Sequence, residues 1–257
     1  MRWVRVRTEI IETPITPDTI KLARSDCGAL WVELMGMPVA LRPSGALWIE
    51  AESVLVAGDL HLEKGSSYAR SGQLLPPYDT LVTLDRLEAE LTALQPRTLI
   101  LLGDSFHDPR ALARLHPDDA QRLAGFARGR TLVWAEGNHD SKHGETALGH
   151  LPGEVADEVA IGPLILRHEP LAGRQPGEVS GHLHPCAKLA PGRGRAVRRR
   201  AFATDGRRLI LPAFGAYAGG LNVCDPAFAG LFATPPLVGA LGEGRVHPIP
   251  FAALCGD

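Results

Sequence analysis

A short apolar run that ends in charged residues decides the fold: residues 53–61 read Ser-Val-Leu-Val-Ala-Gly-Asp-Leu-His. The four consecutive apolar residues after Ser53 predict a strand that is buried on both faces, as in a sheet covered by helices. Asp59 and His61 follow this run directly. Because ligands in open α/β sheets bind beyond the carboxyl ends of strands, these two side chains are predicted to lie in a binding site.

The same pattern recurs twice further along the chain. Residues 98–104 (Thr-Leu-Ile-Leu-Leu-Gly-Asp) and 131–140 (Thr-Leu-Val-Trp-Ala-Glu-Gly-Asn-His-Asp) are apolar runs that end in polar residues. Leucines at steps of three and four residues predict an amphipathic helix over 79–95, and a second helical stretch is predicted over about 117–128. Strands that alternate with helices predict an α/β unit.

Shorter strands are predicted on both sides of this unit. Three alternating apolar runs before it predict a meander of strands: 30–35, 38–41 and 46–49. The C-terminal half contains five further short runs: 164–167, 178–180, 196–203, 208–211 and 221–223. Residues 1–26 are interpreted as an N-terminal leader or an edge strand. Residues 27–257 are predicted to form a single domain, because no polar linker divides them.

Composition excludes several classes of protein. Hydrophobic residues make up 45% and charged residues 22% of the 257 residues, which argues against disorder and fibrous repeats. A formal net charge of -2 excludes nucleic-acid binding by bulk charge alone, although a local patch remains compatible with it. The four cysteines show no paired short spacing, and there is no apolar signal segment or membrane span, so a cytoplasmic protein without membrane association is expected.

The polar residues at the predicted strand ends share one chemistry. They are Asp59, His61, Asp104, Asn138, His139, His168, His182 and His184. Imidazole and carboxylate groups without thiolates favour manganese, iron or zinc over magnesium or calcium, and Mn²⁺ is the first choice. In Asp59-x-His61 and His182-x-His184, the period of two in an extended chain predicts two ligands on the same side.

Two divalent ions fit these ligands better than one. Two dications about 3.5–4 Å apart lower the pKa of a bridging water and clamp the attacking and leaving oxygens of a phosphate ester. Asp104, central in chain order, is predicted to be the carboxylate shared by both ions. Gly103, Gly137 and Gly181 each precede a predicted ligand, where a missing Cβ permits close approach of the backbone.

The ordered set of motifs resembles the calcineurin-like metallophosphoesterase superfamily. The motifs are Asp59-Leu-His61, Gly103-Asp104, Gly137-Asn-His-Asp140, His168 and Gly181-His-Leu-His184. The resemblance implies an α/β fold, a four-layer αββα sandwich of two mixed β-sheets flanked by helices, with two metals at its edge. It implies one ion held by Asp59, His61, Asp104 and His184, and another held by Asp104, Asn138, His168 and His182. His139 would stay off the metals and act catalytically on the leaving oxygen.

A narrower resemblance is to the ligase-associated DNA-repair phosphoesterases, often labelled PdeM. Four stretches carry it: 59–68, 103–108, 166–170 and 211–222. It implies a manganese-dependent endonuclease in DNA repair, associated with a repair DNA ligase and helicase. His107, where many superfamily members have aspartate, and Arg167, before the metal-binding histidine, depart from the wider superfamily pattern.

Substrate contacts are predicted from position and charge. The residues are Lys64, Ser66, Tyr68, His107, Arg167, Arg198, Arg199, Arg200 and Tyr217. The arginine run, on a hairpin around Asp205-Gly206, either tracks a phosphate backbone or is a charged strand edge. Residues 64–70 either line the site or cap the next helix, and Tyr217 either stacks on a base or packs in the core.

The sequence therefore predicts a metal-dependent phosphodiester hydrolase. The favoured hypothesis is an endonuclease acting on single-stranded DNA in DNA repair, with a hydroxide that bridges two divalent metals as the nucleophile. A phosphodiesterase for a small nucleotide or a nucleoside diphosphate conjugate is the alternative among enzymes. A noncatalytic scaffold of the same fold is the alternative outside enzymes, and the intact ligand set counts against it.

Overall fold

The protein is a sandwich of two mixed β-sheets with helices on its outside, and this confirms the predicted fold class. The computed structural model describes residues 9–10, 20–137, 150–190 and 195–257.

The first sheet follows the order of the chain. Within the described ranges it has nine strands: β1 (Glu9–Ile10), β2 (Leu22–Arg24), β3 (Leu30–Leu34), β4 (Met37–Leu41), β5 (Leu47–Ile49), β6 (Val54–Gly58), β7 (Thr98–Leu102), β8 (Thr131–Ala135) and β9 (Glu154–Ala156). Strands β1 to β6 are antiparallel to their neighbours, whereas β6 to β9 run parallel. β2 lies within residues 1–26 and pairs with β3 as one of the outer strands of this sheet.

The second sheet is built from the C-terminal half. Its strands in the described chain are β10 (Glu158–Ile161), β11 (Leu164–Arg167), β12 (Glu178–Ser180), β13 (Cys186–Leu189), β14 (Val197–Thr204), β15 (Leu209–Ile210), β16 (Leu237–Gly242) and β17 (Arg245–Pro250). β14 and β15 form the hairpin predicted around Asp205-Gly206.

Helices cover the outer face of the first sheet. The α-helices of the described chain are α1 (Lys64–Arg70), α2 (Asp79–Leu94), α3 (Ala111–Arg114) and α4 (Pro117–Gly125), and short 3₁₀ helices span Glu50–Glu52, Pro226–Phe228 and Phe251–Ala253. On the outer face of the second sheet, small residues such as Ala201 and Ala240 pack against Phe232 and Phe251. Within the described ranges, no helix has both the length and the hydrophobicity that a bilayer crossing requires.

The residues of β6 show how the apolar run builds the sandwich. All five are buried. Val54 and Val56 pack between the two sheets, whereas Leu55 and Ala57 pack against the helical layer. Because side chains alternate along a strand, a run buried on both faces must be apolar at every position.

Parallel register brings the polar strand ends together. Gly58 pairs with Leu102, and Leu102 pairs with Ala135, so the carboxyl ends of β6, β7 and β8 lie side by side. The alignment continues past the strands, because the backbone N–H of His61 donates to the carbonyl of Asp104 over 2.9 Å. The loops that follow these strands therefore share one edge of the sheet.

The C-terminal half differs in part from the sequence prediction. The hairpin of β16 and β17 was not predicted, because its glycines and prolines weaken the strand pattern. Residues 221–223 were predicted as a strand, but in the structure only Asn222 forms an isolated bridge, with Cys186. The helix predicted over 117–128 ends earlier, at Gly125.

Candidate metal centre

One group of metal-ligating side chains contains Asp59, His61 and His184. The ligand atoms of these residues lie within 4.8 Å of one another. Nε2 of His184 is 3.0 Å from Oδ1 of Asp59 and 3.3 Å from Nε2 of His61. Asp59 comes from the end of β6, whereas His184 comes from the loop after β12, so the sandwich brings together residues that are distant in sequence.

A second group contains Asp59, Asp104 and His168, and all three residues are buried. Nδ1 of His168 is 3.6 Å from Oδ1 of Asp59, and its Nε2 is 3.6 Å from Oδ2 of Asp104. Nδ1 of His182 lies 3.2 Å from Nε2 of His168, which places His182 beside this group. The two groups therefore adjoin and share the carboxylate of Asp59.

Asp104 also lies between the two predicted ligand sets. Its Oδ2 is 4.0 Å from Nε2 of His61 and 3.6 Å from Nε2 of His168. These histidines belong to different predicted sets. The assignment of Asp104 as the carboxylate shared by two ions stays a prediction, with which these distances are compatible.

The charge states in the site suit metal binding. Burial lowers the pKa of His61 to about 3 and also lowers the pKa of His182, so both imidazoles are neutral at pH 7. Burial alone would raise the pKa of Asp59, but the hydrogen bond and charge of His184 outweigh it and keep the carboxylate ionised. Neutral imidazoles and ionised carboxylates are the protonation states that bind metal. Burial would lower the pKa of His184, but its hydrogen bond to Asp59 raises it, so this imidazole must lose its proton when a metal binds. The buried Nδ1 atom of His168 has no hydrogen-bond partner in the described part of the chain, as expected of an atom reserved for another ligand. The residues present fit divalent metal ions.

The backbone at the ligands is left-handed rather than extended. The φ angles are +54° at Asp59, +45° at His61, +39° at Asp104, +65° at His182 and +46° at His184. The prediction that an extended chain places Asp59 and His61, and likewise His182 and His184, on the same side was therefore wrong. Left-handed non-glycine residues cost about 1–3 kcal/mol each and concentrate at functional sites. These strained backbone conformations direct the five ligand side chains toward the common edge of the sheet.

All three predicted glycines allow close contact at the ligands, and a Cβ atom on Gly137 would lie 2.5 Å from Oδ1 of Asp104. A Cβ atom on Gly103, whose φ is +72°, would lie 1.9 Å from Nδ1 of His168. A Cβ atom on Gly181 would lie 2.3 Å from Oδ2 of Asp59. No larger residue fits at any of these positions without moving a ligand.

A backbone carbonyl orients His184. The ring atom Nδ1 of His184 lies 3.2 Å from the carbonyl oxygen of Gly219. A hydrogen bond from Nδ1–H to this carbonyl directs the lone pair of Nε2 toward Asp59 and His61, as is usual for metal-bound histidines. Gly219 belongs to the loop of residues 211–222, which we call the cover loop. The cover loop also contacts the loop that follows β6, because the N–H of Gly215 donates to the carbonyl of Asp59.

A hydrogen-bond network behind the site was not predicted from the sequence. The carboxylate of Glu63 accepts hydrogen bonds from Ser66 and Thr80. Arg114 binds Asp108 through two nitrogens, at 2.6 and 2.9 Å, and donates to Ser66 and to the carbonyl of Glu63. Glu63 lies two residues after His61, and this closeness in sequence could have indicated that it lies near the site. The sequence contains no such signal for Arg114, because α3 brings this residue to the network only in the folded chain.

Four predicted substrate residues lie near the first group. The ring of His107 lies between those of His61 and Tyr68, with centroids 5.9 and 6.0 Å away, and it stacks on Tyr68. Lys64 begins α1 and is half-buried, which lowers its pKa. The hydroxyl of Ser66 is engaged by Glu63 and Arg114. His107 and Tyr68 therefore remain the best placed of the four to meet a substrate.

The other predicted substrate residues have intramolecular partners. Arg167 lies 3.0 Å from Glu158 and 3.6 Å from Glu178. The hydroxyl of Tyr217 donates to the carbonyl of Pro76. Structural contacts thus account for both side chains.

The three arginines of β14 do not form one uniform surface. Arg198 pairs with Asp257 and donates to the carbonyl of Gly220. Arg199 is exposed, and Arg200 donates to the carbonyls of Ala213 and Phe214. The side chains of Arg198 and Arg200 therefore hold the cover loop. Asn138 and His139 lie outside the described residues.

Solved structures of two other proteins match this chain. The nuclease MPE from Pseudomonas putida has a similar structure, with a TM-score of 0.66 and 29% sequence identity over 86% of this chain and 100% of that chain. Yfce, a phosphoesterase from E. coli, gives a TM-score of 0.38 and 17% identity over 77% of this chain and 98% of that chain. A scan against protein-family models finds no match, and a search of curated proteins finds none.

The fold, the buried Asp/His groups and the likeness to MPE define a metal-dependent phosphoester hydrolase. This fold and this site fit the calcineurin-like metallophosphoesterase superfamily. The nuclease MPE is a structural neighbour that has the same architecture and is 29% identical to this chain in the aligned part.

Proposed function

We propose that this hydrolase is a manganese-dependent endonuclease that cuts phosphodiester bonds in single-stranded DNA during DNA repair. The observation that carries the proposal is the pair of adjoining Asp/His groups that share Asp59 at the edge of the sandwich. The structural likeness to the nuclease MPE supports a nucleic-acid substrate.

The residues that would hold the metals divide between the two groups. Asp59, His61 and His184 would hold one ion, Asp59, Asp104 and His168 would contribute to the other, and Asp104 would also be shared with the first ion. We also assign His182 and Asn138 to the second ion. Imidazole and carboxylate ligands together favour manganese, and iron or zinc would also be accepted. Bound divalent ions supply Lewis acidity, which lowers the pKa of water and neutralises negative charge on a phosphoryl group.

The protein side chains prepare the site for this chemistry. Burial keeps Asp59 and Asp104 in a region of low dielectric constant, where their attraction to cations is strong. The carbonyl of Gly219 holds the ring of His184 in one orientation. The network of Glu63 and Arg114 anchors the start of α1 just after the first two ligands.

We assign the leaving-group step to His139. A histidine beside the site can donate a proton to the departing oxygen or stabilise its charge. This role requires that His139 does not bind the metals, which separates it from the other histidines of the ligand set.

A parallel assay tests the proposal. Protein loaded with Mn²⁺ is incubated with circular single-stranded DNA, duplex DNA and bis(p-nitrophenyl) phosphate. We expect linearisation and then fragmentation of the circular single strand, because an endonuclease needs no free end. Chelation should abolish turnover, and added Mn²⁺ should restore it.

The three substrates separate the alternatives. Hydrolysis of the small diester without cleavage of either DNA would support a small nucleotide or nucleoside diphosphate conjugate as the substrate. Metal binding without turnover of any substrate would support a noncatalytic scaffold. A shared role with a repair DNA ligase and helicase belongs to the same proposal and is tested by co-purification of these proteins with the tagged chain.

A further inference from the structure

Two arginines outside the metal centre converge on a single carbonyl of the cover loop. Nη1 of Arg86, on α2, donates to the carbonyl oxygen of Phe214 over 2.6 Å. Nη1 of Arg200, on β14, approaches the same oxygen at 3.2 Å and the carbonyl of Ala213 at 2.7 Å. The guanidinium of Arg86 also lies 5.4 Å from the centre of the Phe214 ring. We call Arg86 and Arg200 the arginine pair.

The arginine pair has no acidic partner. In the described chain, neither guanidinium forms a salt bridge, whereas Arg42, Arg114 and Arg122 each pair with a carboxylate. Glu90, one helical turn after Arg86, is engaged by Arg42. Within the described residues, two like charges thus lie together with main-chain carbonyls and the Phe214 ring as partners.

Burial makes this arrangement costly. Both side chains are partly buried, and burial lowers the pKa of each. The charge of Arg86 lowers the pKa of Arg200 further, to about 10, so both remain protonated at pH 7. Uncompensated neighbouring cations with partly removed hydration favour an anion that both can bind.

The hydrogen-bonding capacity of the pair is only partly used. Each guanidinium has five N–H donors in a planar fork. Arg86 uses one on Phe214, and Arg200 directs one nitrogen at two carbonyls. Guanidinium forks match the oxygens of a phosphate group, and charge-assisted hydrogen bonds of this kind are among the strongest in proteins.

The position of the pair links it to the metal centre. The N–H of Phe214 donates to the carbonyl of Gly58, and the N–H of Gly215 donates to the carbonyl of Asp59. The carbonyl that both arginines bind therefore belongs to the residue docked on the end of β6, directly before the first ligand. A DNA strand held at the metal centre extends beyond the scissile bond, so its other phosphates need sites on the surrounding surface.

We propose that Arg86 and Arg200 form a phosphate-binding site that holds a nonscissile phosphodiester of a single-stranded nucleic acid. The proposal rests on the proposed nuclease function and names a substrate contact for it. It also gives different roles to two of the three arginines of β14: Arg200 binds substrate, whereas Arg198 is occupied by Asp257.

The test compares a polymer with a small substrate. Arg86→Gln, Arg200→Gln and the double variant are measured beside the wild type. Glutamine removes the charge and keeps a polar amide, although its side chain is two bonds shorter than that of arginine. Hydrolysis of the small diester therefore reports whether the cover loop stays in place. Arg122→Gln on α4 is the matched control, because it removes an equal charge from a side chain paired with Glu88 and Asp85.

Binding of a fluorescent oligothymidine to the metal-free protein is followed by anisotropy over a series of salt concentrations. We expect each single variant to bind about ten times more weakly, as for the removal of a hydrogen bond between charged groups. The slope of log K against log salt should become shallower by about 0.7 for each phosphate that the variant no longer neutralises. The control should change neither quantity.

Hydrolysis of bis(p-nitrophenyl) phosphate by the Mn²⁺-loaded protein distinguishes substrate binding from loop positioning. This diester has no second phosphate, so its kcat/KM should stay within about twofold of the wild type. An equal loss on both readouts would show that the arginines only hold the cover loop and would overturn the proposal. Unchanged oligothymidine binding in the double variant would overturn it as well. Failure of the nuclease proposal is seen separately, in wild-type protein that does not cleave DNA.

Discussion

The Gly103→Ala substitution tests whether close backbone approach seats a metal ligand. The new Cβ atom would lie 1.9 Å from Nδ1 of His168, whereas ordinary contacts begin at 3.4 Å. The imidazole must therefore retreat by about 1.5 Å, several times the roughly 0.2 Å of latitude in a metal–ligand bond. The left-handed φ of +72° adds about 1–2 kcal/mol of backbone strain for any residue with a Cβ.

We expect the alanine variant to lose one of its two metal ions. Metal content is measured by mass spectrometry after equilibration with Mn²⁺ and gel filtration, and turnover is measured with the nitrophenyl diester. Bound metal should fall from about two ions per chain to about one, with turnover close to background, because two-metal catalysis needs both ions.

Gly129→Ala is the matched control for this substitution. The φ of Gly129 is +71°, and nothing lies within 4 Å of the position that its Cβ would occupy. The control carries the same backbone strain without the collision, so both ions and normal turnover should be retained. A Gly103→Ala protein that keeps two ions and wild-type turnover would refute the placement of His168 against this glycine.

Three further predictions address single side chains. Asp104→Asn should reduce diester turnover to background by removing a carboxylate from between His61 and His168, and normal turnover in this variant would disprove the assignment of Asp104 as the shared ligand. His139→Ala should keep its metal content while kcat falls at least about 100-fold, as for the loss of a general acid, so metal loss would contradict the role given to His139. Arg208→Met should lower the free energy of unfolding in urea by about 3–5 kcal/mol, because it leaves the buried carboxylate of Glu178 without its main partner; an unchanged urea midpoint would show that the pair contributes nothing.

The sequence was most informative where apolar patterning is strong. The runs at 53–58, 98–102 and 131–135 predict β6, β7 and β8 to within one residue, because strands buried on both faces must be apolar throughout. Helix α2 was equally accessible from its leucine spacing. The pattern failed for β16 and β17, where glycine and proline interrupt the strands and pairing in the second sheet decides the structure.

The metal centre was predictable in its chemistry but not in its backbone. Asp59, His61, Asp104, His168 and His184 lie in two adjoining groups, and their role as metal ligands stays a prediction. Their left-handed conformations had no sequence signal, since an isolated aspartate or histidine prefers other regions of φ. Only the surrounding contacts of a folded sandwich stabilise such strain.

By itself, the sequence determined the class of fold and the type of chemistry, because apolar periodicity specifies which faces are buried and residue type specifies which ions can bind. The tertiary structure alone decided which arginines have an acidic partner. Arg208, in the same arginine-rich segment as Arg200, is fully buried against Glu178. Arg200 instead meets Arg86 from a distant helix, and neither has an acidic partner among the residues that the structure describes. A sequence does not show where a charged side chain points. Packing in the folded chain decides whether an acidic side chain lies close enough to neutralise it.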